Sequence, residues 1–160
     1  MIKAEFCEID RASHRPKART RVIVQFNPET LKVTYANPVL DTATALVGPG
    51  VTRLAMQLWF DVTGELSPDL ASVADVRELT RRVAYFITPQ PDRLDRSKHA
   101  PPLVRFVWGT FQFDGVVECL EETLEFFSPD GRPLRASLNL ALSSNTIQFQ
   151  FASPRRASRA

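Results

Sequence analysis

Few side chains in this chain are of a type that does chemistry. Cys7 and Cys119 are its thiols, and His14 and His99 its imidazoles. A cysteine nucleophile needs a base beside it. Both cysteines fall in alternating stretches, so the expectation is a pair of buried structural thiols. Neither histidine has a Cys, Asp or second His at ligand spacing, which argues against zinc. Glu118, Glu121, Glu122 and Glu125 form a carboxylate run. Glycosidases hold their two acids roughly 5–10 Å apart across a cleft, usually on different elements. One acidic strand does not supply that, so a solvated or interface-facing strand is expected. Trp59 and Trp108 could line a sugar groove, but each lies in an alternating stretch that favours core or subunit packing. No Gly-x-Ser-x-Gly elbow, phosphate loop or dinucleotide fingerprint occurs. The expectation is a non-enzyme with no cofactor and no metal.

The elements that would carry these residues are mostly strands. Residues 51–62 alternate, with Thr52, Leu54, Met56, Leu58, Phe60 and Val62 on one face. Residues 134–143 repeat the pattern with Leu134, Ala136, Leu138, Leu140 and Leu142. Further strands are expected at 2–9, 20–26, 31–35, 103–108 and 147–151. Asn27-Pro28 interrupts the second, since proline lacks a ladder donor. Residues 109–127 mix helical and strand spacing; strand is preferred, with a bulge near Glu121-Glu122 and a tight turn at Asp114-Gly115. Ser128-Pro129-Asp130-Gly131 should turn a hairpin. One helix is expected within 69–87, capped by Ser67 or begun at Ser72-x-x-Asp75, and closed by Pro89 and Pro91. The order predicts a mainly β fold, an antiparallel β-barrel or sandwich with one packed α-helix.

Length and charge bound the rest. The 160 residues make one domain with room for a core, 44% hydrophobic and 24% charged. No apolar run reaches membrane-helix length, and the start lacks a signal-peptide pattern. A cytoplasmic protein is expected, at least during assembly. The net charge of +2 is uneven. Arg11, Arg15, Lys17, Arg19 and Arg21 crowd one loop, and Arg155, Arg156 and Arg159 the end. Setting these eight aside leaves 12 bases against 18 acids. The reading is an acidic β domain over 1–151 with a basic, mobile loop and a flexible tail at 152–160. No aromatics interleave with the bases, so nucleic acid is not an expected partner.

Four segments carry a resemblance. Val24-Gln25-Phe26-Asn27-Pro28-Glu29-Thr30-Leu31-Lys32-Val33-Thr34-Tyr35 resembles the N-terminal signature of the contractile injection system tube-domain family. The strand 54–63, ending Trp59-Phe60-Asp61-Val62-Thr63, fits next. Pro102-Leu103-Val104-Arg105-Phe106-Val107-Trp108-Gly109 and the hairpin 126–136 follow in order. The resemblance implies a tail-tube-like β fold and a structural ring subunit of a phage-tail-like particle. Six copies would surround a lumen and join the inner tube to the spike hub of the baseplate. The helix would face the surrounding baseplate or sheath, and the polar strand faces the lumen. The long 37–50 connection would be an arm reaching a neighbouring subunit or ring. Its expected interface residues are Asn37, Pro38, Val39, Leu40, Asp41, Thr42, Gly48, Pro49 and Gly50, with Arg155 and Arg156 from the tail. Family members often carry a peptidoglycan-binding LysM domain; here the matched segments fill the chain, and wall anchoring is not carried over. The alternatives are a glycan-binding or cell-wall-degrading β-sandwich, and a module that loads effectors.

Overall fold

A computed structural model of the chain describes residues 1–38, 49–64, 66–92 and 95–150. Its strands are β1 (Glu5–Glu8), β2 (Val22–Ile23), β3 (Lys32–Ala36), β4 (Val51–Asp61), β5 (Gln90–Pro91), β6 (His99–Ala100), β7 (Val104–Trp108), β8 (Phe111–Phe127) and β9 (Pro133–Ser144). Among the described residues the single α-helix, α1, spans Arg77–Ala84. Seven strands form one antiparallel sheet in the order β2-β1-β7-β8-β9-β4-β3, and β5 pairs with β6 apart from it. The mainly β fold with one helix is as expected. The ladder, however, is open between β2 and β3 and does not close into a barrel.

Alternation decides which way each strand faces. Leu54, Met56, Leu58 and Phe60 of β4 stand opposite Leu142, Leu140, Leu138 and Ala136 of β9, and all eight are buried. This inner face joins Phe6, Val104, Phe106 and Phe113 from the other half of the sheet in one core. Phe86, from the turn after α1, lies 6.0 Å from the Phe6 ring, and Phe6 lies 5.0 Å from Phe106. These fully buried rings tie the helical segment to the β1–β7 half of the sheet.

β8 is the hinge of the sheet. Its residues Phe111–Gly115 pair with β7, whereas 116–127 pair with β9. The bulge lies between Val117 and Cys119, a turn of strand earlier than the sequence suggested. Asp114-Gly115 is not a turn. The β7–β8 reversal falls at Gly109-Thr110, where Gly109 has φ +60°. Gly115 is needed for a different reason: a Cβ there would stand 2.6 Å from the Ser143 carbonyl oxygen and 2.8 Å from the Phe113 ring. Only a residue without a side chain lets β9 approach where β8 changes partners.

The expected continuous helix is broken. Pro68–Leu70 makes one 3-10 turn, and Ser67 forms no side-chain cap. The Val76 N–H goes to the Pro133 carbonyl of β9 at 3.1 Å instead of back along a helix. Asp75 then accepts the Arg77 N–H at 2.9 Å and starts α1. Val73, Val76, Leu79 and Val83 still bury as the stripe predicts. Residues 147–150 also differ, making no strand. Thr52 Oγ1 accepts the Gln148 N–H and donates to the Thr146 carbonyl, so a buried hydroxyl ends the ladder.

The Ser128–Gly131 turn holds, with the Gly131 N–H on the Ser128 carbonyl at 2.9 Å and Gly131 at φ +85°. The basic loop is pinned where mobility was expected. Ile9 bridges Pro16, Asp10 accepts the N–H groups of Ala12 and Ser13, and Thr20 Oγ1 accepts the Glu8 N–H.

Gly115→Ala should destabilise the fold by about 1–3 kcal/mol through overpacking. Gly64→Ala, with nothing near its Cβ position, should change little. Urea denaturation of the two variants compares them.

Candidate assembly surfaces

Where the ladder stops, side-chain amides take over. Gln25 Nε2 donates to the Asp61 carbonyl at 2.7 Å, and the Asp61 N–H donates to Gln25 Oε1 at 2.9 Å. A carboxamide offers one donor face and one acceptor, so it fits the free N–H and C=O of a strand residue. Gln25 thus clasps the segment after β2 to the end of β4, across the opening in the sheet. Asn27 does the same at the N-terminus, accepting the Ala4 N–H at 2.8 Å and donating to the Ile2 carbonyl at 3.0 Å. Gln148 holds Asp114 on both sides, at 3.0 and 2.9 Å. The Val24–Pro28 stretch therefore ends a strand while meeting both backbone groups of Ala4 and Asp61 and the carbonyl of Ile2.

β3, β4, β9 and the latter part of β8 form a four-stranded half with a polar outer face. Arg53, Gln57, Asp61, Arg135, Ser137, Asn139, Glu121, Thr123 and Glu125 lie there by alternation and register. Arg53 pairs with Glu118, and Arg135 Nε with Asp61 at 3.0 Å. Burial opposes ionisation of Asp61, but hydrogen bonds from Thr63 and Arg135 outweigh it and hold the carboxyl below its ordinary range. Beyond Gly115 the edge of β8 away from β9 has no strand partner among the described residues, and β3 has none on its outer side.

Exposed aromatics mark the two ends of this half. At the β8–β9 turn, Phe126 and Phe127 are 59% and 58% exposed. Phe126 has φ +57°, a region L-residues seldom enter. That backbone turn puts its ring 5.2 Å from the Arg135 guanidinium, on the outer face. At the other end, Tyr35 and Phe149 stand 6.1 Å apart, and the Tyr35 hydroxyl lies 3.2 Å from Gln150 Oε1.

The expected interface residues fall partly here. Asn37, Pro38 and Pro49 are exposed beyond β3 and before β4. Gly50 is buried at φ +85°, its would-be Cβ 2.8 Å from both Asn37 Oδ1 and Ile147. Val39, Leu40, Asp41, Thr42, Gly48, Arg155 and Arg156 lie outside the described residues, as does the 152–160 tail. Sequence reasoning missed the amide clasps and the Phe126–Phe127 tip. Gln25 and Asn27 stood in the matched signature, but nothing in the pattern gave them a role.

The chemically capable residues stay apart. Cys7 is half-buried, and burial pushes its thiol up, against the lowering field of Arg105. Cys119 is exposed on the outer face, contrary to expectation, because the bulge before it shifts the alternation of β8 by one residue. All four glutamates of the β8 run are exposed, as expected of a solvated or interface-facing strand. Trp59 stands on the outer face while Trp108 packs against the core, so they line no common groove. Among the described residues no group of three or more His, Cys, Asp or Glu could hold a metal ion, and no helix is long and apolar enough to cross a membrane.

One buried carboxylate is structural. Glu8 receives Lys17 Nζ at 2.7 Å and the Tyr85 hydroxyl at 2.6 Å, joining the basic loop to the turn after α1. The hydrogen bond to Glu8, with burial and the carboxylate's charge, pushes the Tyr85 phenol up to about 12.

Among the described residues the open sheet has clasped ends, unpartnered edges and exposed aromatic tips, surfaces suited to contacts with other chains. Residues 1–150 match the contractile injection system tube protein family, and the chain belongs to it. No curated protein sequence matches the chain.

Gln25→Ala should cost about 1–3 kcal/mol, because it strips partners from both Asp61 groups. Gln25→Glu should also destabilise, since a carboxylate cannot donate to the Asp61 carbonyl. Chemical denaturation measures both. The Tyr85 phenol is raised in the folded state, so its contribution is complete below the ordinary value near 10 and is lost as pH rises through about 12. Stability should therefore fall more steeply across that window in the wild type than in Tyr85→Phe, as read from urea midpoints at stepped pH.

Proposed function

We infer that this chain, a member of the contractile injection system tube protein family, has a structural role in such a particle, in assembly with other tail components. We propose the finer reading that it is a ring subunit, six copies to a ring, joining the inner tube to the spike hub of the baseplate.

The observation that carries this is the pair of free edges on the four-stranded half. β3, β4, β9 and β8 alternate in direction, so the two edges run in opposite senses. A second copy can set its β8 beside β3 and continue the antiparallel alternation. The same contact then repeats head to tail, and such heterologous contacts generate rings when the rotation closes. The charges favour this pairing. Glu121 and Glu125 on β8 repel another β8, while β3 offers the exposed Lys32, which stands opposite Ala55 of β4. The polar outer face would then line the lumen, and α1 would lie outside. The 37–50 connection, rooted at the exposed Asn37, Pro38 and Pro49, would reach a neighbouring subunit or ring. Arg155 and Arg156 would meet an acidic partner surface.

Native mass measurement and negative-stain microscopy of the chain with its tube and hub neighbours test the reading. Hexameric rings are expected, and a persistent monomer in that mixture would sink it. Tyr35→Pro should suppress ring formation at least tenfold while leaving the monomer folded, because by alternation the Tyr35 N–H faces away from β4 and proline there blocks further pairing without breaking the β3–β4 ladder.

A further inference from the structure

Beneath β2 lies an open groove of about 540 Å³. Its floor is apolar, with Val24, Phe60, Leu70 and Leu79 among its walls. Lys3, Arg21 and Arg82 contribute charge to its lining, against the single carboxylate of Asp69. Arg21 is already paired with Glu5, whereas Arg82 makes no ion pair among the described residues. The strand beside the groove is incomplete. The Val24 N–H bonds the Ala4 carbonyl, so by alternation the N–H and C=O of Ile23 point away from β1, toward open space. The described chain supplies no partner for that strand edge and fills the groove with no side chain of its own.

We infer that the groove receives the Phe126–Phe127 tip of an adjacent copy of this chain. The inference rests on the ring reading and names a contact that ring pairing alone does not require. Three observations support it. The tip and the groove lie at the same end of the four-stranded half. A continuous chain of contacts runs from Phe126 to Arg135, from Arg135 to Asp61, and from Asp61 to Gln25 on the groove wall. When β8 of one copy runs antiparallel beside β3 of the next, its last residues pass the five residues of β3 and arrive at the 25–31 turn above the groove. The charges match as well. Glu125 directly precedes the two phenylalanines and is exposed on the outer face, a carboxylate complementary to the cations that line the groove. Finally, the backbone at Phe126 adopts φ +57° and leaves two neighbouring rings in water, an arrangement that gains when the rings are covered.

Cross-linking between chains tests the contact. In a Cys7→Ser, Cys119→Ser background, a chain with Phe127→Cys is mixed with one carrying Ile23→Cys, assembled with the tube and hub neighbours, and oxidised. A covalent pair that forms only under assembling conditions is expected. Phe126→Ala/Phe127→Ala should fold with an unchanged melting temperature and assemble at least tenfold less well. Wild-type rings that form without the cross-link, with the double-alanine variant assembling normally, overturn the groove contact and leave the ring reading intact. Cross-linking of Ile23→Cys to a hub or tube neighbour, with none to Phe127→Cys, gives the groove another occupant and overturns it too. Absence of any wild-type ring overturns the ring reading and this contact with it.

Discussion

A sheet whose ladder stays open must still satisfy the backbone groups at its ends. An unpaired N–H or C=O shut away from water costs about as much as a lost hydrogen bond, so each has to be met or left wet. In this fold the solution is a set of side-chain amides. Gln25 meets Asp61, Asn27 meets Ile2 and Ala4, and Gln148 meets Asp114, each with a donor and an acceptor together. The clasps hold the curled sheet in shape without adding a strand. Had a strand done the same work, the free edges that suit a shared assembly would have been consumed within one chain.

The division of labour in β8 follows from that arrangement. Its first five residues belong to the compact half with β7, the aromatic core and the helical segment. Its remainder belongs to the half with long rungs and a polar outer face. Gly115 stands at the junction because two backbones meet there at a distance no side chain permits. Glu8 performs a related service on the other side, bringing the basic loop and the Tyr85 turn to one carboxylate. The cations of that loop are thereby presented at fixed positions on an otherwise acidic body.

Much of the architecture was legible because alternation is a strong signal where one face is buried. β4 and β9 fall within one residue of the stretches read at 51–62 and 134–143. The helix was legible in its buried stripe but not in its extent. The Val76 N–H is claimed by Pro133, some 57 positions along the chain, and local pattern cannot register such a partner. Asp114-Gly115 misled for the complementary reason: the glycine answers a tertiary contact with Ser143, not a need to turn. The site was the least legible. Gln25, Asn27 and Gln148 look like ordinary polar residues in sequence, and their role depends on which backbone groups the rest of the fold leaves bare. Cys119 is exposed rather than buried because the bulge before it turns its side chain to the outer face.

The register between β4 and β9 bears on more than packing. Ten consecutive pairs, from Thr52 with Ser144 to Asp61 with Arg135, run without interruption. Beside them β8 adds a second long ladder to the same central strand. A pull directed along these strands loads the rungs in shear, so many must yield together, whereas a pull across them would open the sheet one rung at a time. The strand direction is therefore the mechanically stiff axis of the subunit, and a machine that drives its contents lengthwise would put its thrust along that axis.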